Sequence, residues 1–132
     1  MPQRASTPMI AAAVMFLIIA ILAGWAAVTL LRGGPGVDSE IVAGVAAVRL
    51  TAIGILVACV PVLVASIATF AGSSRSWPLG LAACAVFVGY GFVANFVLFG
   101  SWRPAHTLGN VAIGALILWL LSRGGQVVEP ET

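Results

Sequence analysis

Residues 91–114 read GFVANFVLFGSWRPAHTLGNVAIG: an apolar run, a turn of Ser101, Trp102, Arg103 and Pro104, then a second apolar run. A turn that short reverses the chain, so the two runs pack as antiparallel neighbours. Followed outward, each run reaches membrane length. Leu79 to Gly100 gives 22 residues on one side, and Pro104 to Ser122 follows on the other. The strictly apolar part of the second run, Leu108 to Leu121, has only 14 residues, so that helix depends on its partners and on the polar turn lying at the interface. The stretch also contains His106, the only histidine, and both asparagines, Asn95 and Asn110.

The chain upstream has the same form. Met9 to Leu31 is a 23-residue run without a charge. At 1.5 Å per residue it extends about 34 Å, enough to cross a hydrocarbon core of about 30 Å. It is also longer than the apolar region of about 7 to 15 residues in a secretory leader, so it reads as an uncleaved first span. Residues 32–40, RGGPGVDSE, form a turn, with glycines for positive φ, Pro35 to stop one helix and Asp38 or Ser39 to cap the next. Ile41 to Phe70 is 30 residues long and is interrupted by Arg49. A helix of that length would measure about 45 Å, so the crossing is placed at Leu50 to Phe70 with Ile41 to Val48 as an interfacial extension. Pro61 predicts a kink near the middle of this span. Residues 71–78, AGSSRSWP, make the second turn, and Gly124 and Gly125 are expected to end the last helix before an exposed tail. The expected fold is an all-α integral membrane four-helix bundle. It is a single transmembrane domain over residues 1–132, with spans near 9–31, 50–70, 79–100 and 104–122 in two antiparallel hairpins and a tail at 124–132.

Composition supports this reading. Hydrophobic residues make up 61% of the chain and charged ones 8%, with mean hydropathy +1.15, whereas a soluble domain has about a quarter of its residues charged. The bilayer must be the solvent for most of the surface. The six positive side chains, Arg4, Arg32, Arg49, Arg75, Arg103 and Arg123, are spread singly along the chain. Neither a nucleic-acid face nor a polybasic lipid-binding patch fits that distribution. Trp25 and Trp102 fall toward one surface and Trp77 and Trp119 toward the other, as in an aromatic belt. Arg4, Arg75 and Arg123 lie on the side of the termini, against Arg32, Arg49 and Arg103 on the other. With Arg49 discounted because it lies inside a helix, the positive-inside rule puts both termini in the cytoplasm. Arginine without lysine, in an Ala-, Gly- and Val-rich chain, points to a bacterial plasma (inner) membrane.

In lipid, helices associate by close backbone approach, so small residues four apart mark packing faces. Such pairs are Ala20 and Gly24, Ala23 and Ala27, Gly54 and Ala58, Ala85 and Gly89, and Asn110 and Gly114. Cys59 and Cys84 differ in predicted depth by roughly 8 to 10 Å, beyond disulfide reach, and read as packing residues.

The first and third turns share a membrane face. Onto it fall Asp38, Glu40, Arg49, Asn95, Trp102, Arg103, His106, Thr107 and Asn110. His106, Asn110 and Gly114 lie on one stripe of the last helix, which predicts an Asn95–Asn110 hydrogen bond with His106 above it. The candidate ligand-binding set is therefore Arg49, Asn95, Arg103, His106 and Asn110, with Arg49 and His106 as its charged and titratable members. Arg49 has an alternative role, snorkelling to the interface and pairing with Glu40. Chemistry is not indicated: a single His does not supply bis-histidine haem ligation, and Ser66 and Thr69 lie near the face opposite His106. No metal or other cofactor is expected. In length and span count the chain resembles small four-span bacterial families such as the DoxX-like and GtrA-like membrane proteins. The likeness carries no motif residue and implies no activity. The leading expectation is a non-enzymatic accessory or scaffold subunit that works through helix contacts with a membrane-protein partner or a second copy. The alternative is a small-molecule or lipid-handling transporter or binding protein using the Arg49 and His106 face.

Overall fold

The computed structural model describes residues 5–33 and 41–127, with no strand among them. Four helices make up the fold: α1 (Thr7–Arg32), α2 (Val45–Phe70), α3 (Ser76–Phe99) and α4 (Pro104–Val127). All four are long and apolar enough to cross a membrane. At 24 or 26 residues each, they measure about 36 to 39 Å. The chain is an all-α, multi-pass membrane bundle. Arg4, Pro35, Asp38, Ser39, Glu40 and the tail beyond Val127 lie outside the described residues.

Helix ends follow local chemistry, and some differ from the sequence reading. Gly33 closes α1 in the left-handed conformation, φ 59°, donating its N–H to the Thr29 carbonyl. Gly100 closes α3 in the same way, φ 68°, onto the Phe96 carbonyl. Pro104 opens α4, where its missing N–H costs nothing. Helix α2 starts at Val45, inside the stretch expected as an interfacial extension, so Arg49 sits in its second turn, while residues 41–44 are not helical. These residues cross the end of α3, where the Val42 and Ala43 N–H groups both donate to the Leu98 carbonyl, at 2.9 and 3.4 Å. That carbonyl belongs to the last turn of α3, which has no intrahelical donor for it. Helix α2 continues through Pro61, as lipid-embedded helices tolerate when neighbours re-satisfy the freed groups. Helix α4 does not end at Gly124 and Gly125 but runs on to Val127. The reason is packing: a Cβ at Gly124 would collide with Met9, so this glycine serves as the point where α4 meets the start of α1.

The α2–α3 turn is tied by serines. Ser76 Oγ donates to the Ser73 carbonyl at 2.7 Å and to the Ala68 carbonyl at 3.2 Å, and the Arg75 N–H donates to Ser73 Oγ at 3.1 Å.

The helices form a closed ring in which α1 packs on α2 and α4, and α3 packs on α2 and α4, while the diagonal backbones stay apart. The α1–α2 seam is the most extensive. Small residues make it close: Ala13, Ala20, Ala27, Ala52 and Ala65 are all buried. Ser66 Oγ donates to the Ala13 carbonyl at 2.8 Å, and the Cys59 thiol lies 3.7 Å from the Ala20 carbonyl. The other thiol, Cys84, faces the Gly114 carbonyl at 3.8 Å, and both cysteines are buried and unbridged. Of the small-residue pairs, Ala85 and Gly89 point outward.

Packing density differs between the two ends. Toward the termini the centre is filled by Phe16, 1% exposed, together with Ala12, Val62, Ala83, Ile117 and Leu121. Phe16 reaches across the diagonal to Gly80 on α3, where a Cβ would collide with Leu121 and touch the edge of the Phe16 ring. The opposite end has no such plug.

Candidate functional site

A cavity of about 490 Å³ occupies that opposite end. Its walls come from α1 (Ala23, Trp25, Ala26, Thr29, Leu30), α3 (Phe87, Tyr90, Gly91, Ala94, Asn95, Leu98, Phe99) and α4 (His106, Asn110). Ile41 and the α2 residue Ile55 complete it. The lining on α3 extends from Phe87 to Phe99, a depth of about 18 Å by helix rise. The exposed members of the lining, at its rim, are Trp25 and Ala26 on α1 and His106 on α4.

Of the five candidate residues, the structure brings together Asn95, His106 and Asn110 around this space. Arg49 and Arg103 are not among the lining residues. Arg49 is exposed on α2, the helix that contributes least to the cavity. Its expected partner Glu40 lies outside the described residues. Arg103 stacks its guanidinium over the Phe99 ring at 4.2 Å, a cation–π contact with a ring that lines the cavity. Next to it the Trp102 indole N–H donates to Thr107 Oγ1 at 2.9 Å, tying the α3–α4 turn to the first turns of α4.

The expected bond between Asn95 and Asn110 is not formed. The Asn110 amide lies level with Gly91, one turn deeper than Asn95, and its Nδ2 stands 2.9 Å from where a Cβ on Gly91 would be. Gly91 lets the two helices meet there, which fixes Asn110 against backbone instead of against Asn95. Neither asparagine side chain makes a hydrogen bond to another described residue, and both are half-buried.

Three lining residues were outside the candidate set read from the sequence: Tyr90, Thr29 and Trp25, the last read there as part of the aromatic belt. Tyr90 donates its hydroxyl to the Thr51 carbonyl at 3.1 Å, and its ring lies over Gly54, so it pins α3 to α2 beside the cavity. Thr51 in turn donates to the Ala47 carbonyl at 2.8 Å. Thr29 donates to the Trp25 carbonyl at 2.9 Å. The available signal was that Tyr90 is the only tyrosine in the chain; a phenol with both an apolar body and a polar tip needs a partner when buried. Ser66 and Thr69 are at the terminal end, bonded to the Ala13 and Ala65 carbonyls and far from His106 along the bundle.

The arrangement is that of an amphipathic pocket: an apolar and aromatic interior, with two amides, an imidazole and two hydroxyl groups toward one membrane surface. No family model matches the chain, and neither the curated proteins nor the solved structures compared with it contain a match.

Proposed function

We propose that this protein is a small-molecule or lipid-handling membrane protein that binds one amphipathic molecule in the cavity between α1, α3 and α4. The observation that carries this reading is the cavity itself, about 490 Å³ with Asn95, Asn110 and His106 at its polar end. That volume falls within the range of about 300 to 1,000 Å³ typical of ligand sites. Unpartnered amides at membrane depth are costly, which makes a ligand that satisfies them a natural occupant. Arg49 is set aside as a ligand group, and the snorkelling role suits its exposed position better. In this reading the chain lies in a bacterial plasma membrane with both termini cytoplasmic, and it performs no chemistry of its own.

The test is occlusion. Ala26 lines the rim and is itself exposed, so Ala26→Trp fills the opening without displacing packed neighbours. Native mass spectrometry of the protein released from mild detergent is expected to show a retained small molecule with the wild type and none with Ala26→Trp. Equal retention by both would reject the cavity as the site.

A second reading, an accessory subunit acting through helix contacts with a protein partner or another copy, draws on the outward-facing Ala85 and Gly89 of α3. A stoichiometric protein in the same spectra, with no small molecule, would favour it.

A further inference from the structure

We propose that the occupant is an uncharged amphiphile whose head carries carbonyl oxygens, admitted sideways from the bilayer through the gap between α1 and α4; this rests on the cavity being a binding site. Three observations set the class. First, among the described residues no arginine and no carboxylate lines the cavity: Arg103 is stacked on the Phe99 ring and Arg49 is exposed on α2, neither being part of the lining, and His106 is at the exposed rim. An anionic head there would lose its hydration without a guanidinium to pair with, and a carboxylate or phosphate is costly to desolvate in that way. Second, the hydroxyl hydrogens of Tyr90 and Thr29 are already given to the Thr51 and Trp25 carbonyls. The donors left over are the amide N–H groups of Asn95 and Asn110, with the ring N–H groups of His106 and Trp25 at the rim. Those donors need acceptors, and a carbonyl is the uncharged acceptor that suits an amide. Third, the space below the asparagines is walled by Phe87, Ile55 and Ala23, which provide no polar atom from their side chains and suit a hydrocarbon chain or a ring.

Access follows from the same geometry. Residues 41–44 are tied by two hydrogen bonds to the end of α3, and Ile41 forms part of the cavity lining at the aqueous end. The exposed members of the lining, Trp25 and Ala26 on α1 and His106 on α4, mark the side from which the cavity is reached. A molecule already dissolved in the membrane reaches the pocket without crossing water.

Two chemical sources share this head chemistry, a quinone ring and a glyceride ester, and one assay separates them. The full chain is prepared with Trp77→Phe, Trp102→Phe and Trp119→Phe, so that Trp25 reports alone. Its fluorescence is titrated with decylbenzoquinone, a contact quencher, and then with dioctanoylglycerol or dioctanoyl phosphatidylglycerol as competitors. Saturable quenching is expected, displaced by dioctanoylglycerol, with the anionic lipid at least about tenfold weaker as a competitor. The tighter of the two uncharged probes identifies the source. Asn110→Leu, nearly the same size, is expected to raise the half-saturating concentration about tenfold, as the loss of one hydrogen bond from a desolvated site does. Asn95→Leu serves as the second variant if the first does not fold. Competition by phosphatidylglycerol equal to that of the glyceride, or no change in either Asn variant, would overturn the assigned class while leaving the cavity as a site. Absence of saturable quenching, or quenching unchanged by Ala26→Phe, which fills the same rim position without adding a second tryptophan, would instead reject the cavity reading.

Discussion

Phe16→Ala is expected to lower the free energy of unfolding by about 3 kcal/mol, measured by titrating the protein from a mild detergent into SDS, while leaving ligand binding below the unfolding transition unchanged. Phe16 is among the largest fully buried side chains and sits where all four helices converge. Buried Phe→Ala changes in soluble proteins cost about 3 to 5 kcal/mol, part of it transfer out of water and part the cavity left behind. In a bilayer the unfolded helices are already in an apolar medium, so the transfer part shrinks and the lost dispersion contacts remain. The low end of the range is therefore the expected value. Relaxation is limited, because Ala12, Ala65 and Ala83 in the same cluster carry only methyl groups, with no rotamer that could swing into the void.

Gly54→Ala is the second large effect, and its sign should depend on Tyr90. A Cβ at Gly54 would overlap the Tyr90 hydroxyl and crowd its ring carbon Cε2 at 3.1 Å. Displacing the ring breaks its hydrogen bond to the Thr51 carbonyl. Overpacking costs about 1 to 3 kcal/mol and the lost hydrogen bond about 1 kcal/mol, against a gain of up to about 1 kcal/mol in helix propensity. A net destabilisation of about 2 kcal/mol is expected. Because Tyr90 lines the cavity, ligand affinity should fall with it. In a Tyr90→Ala background the collision is gone, and Gly54→Ala should become neutral or stabilising. A double-mutant cycle reads this directly, and additive effects would mean that Tyr90 does not rest on Gly54.

How far the sequence could be read follows from these same residues. The existence, order and direction of the four helices were legible, since uninterrupted apolar runs of membrane length admit few alternatives. Their ends were less so. The start of α2 at Val45, part-way along the expected interfacial extension, is possible because Arg49 is on an exposed face, where its long stem needs no break in the helix. The run of α4 through Gly124 reflects contact with Met9, a partner more than a hundred residues away in the chain. Glycine reads as a stop in isolation and as a contact once another helix is pressed against it.

The site was partly legible for the same reason. Asn95, His106 and Asn110 were placed on one membrane face by counting turns, and the cavity does bring them together. The relative phase of neighbouring helices is set by which side chains interlock, and this is invisible along one chain. Gly91 accepting Asn110 shifts the contact by one turn and separates the two asparagines that spacing alone would join. Rotation of α2 likewise removes Arg49 from the group. The cavity arises from where large side chains are missing, and Phe16 having no counterpart at the other end is a fact of packing rather than of motif.

The most direct measurement of the central claim, four crossings with one filled and one open end, is cysteine accessibility in intact and opened cells. In a background with Cys59→Ala and Cys84→Ala, single cysteines are introduced at Thr7, Ser74 and Ser122 for the filled end, and at Gly33 and Ser101 for the open end. All five positions except Ser74 and Ser101 are at or near helix termini, and every one is exposed. A membrane-impermeant maleimide is expected to label the first three as one group and the last two as another, one group reacting in intact cells and the other only after opening. Thr7 and Ser122 reacting from opposite sides, or Ser101 reacting together with Ser74, would contradict the bundle and the cavity built on it.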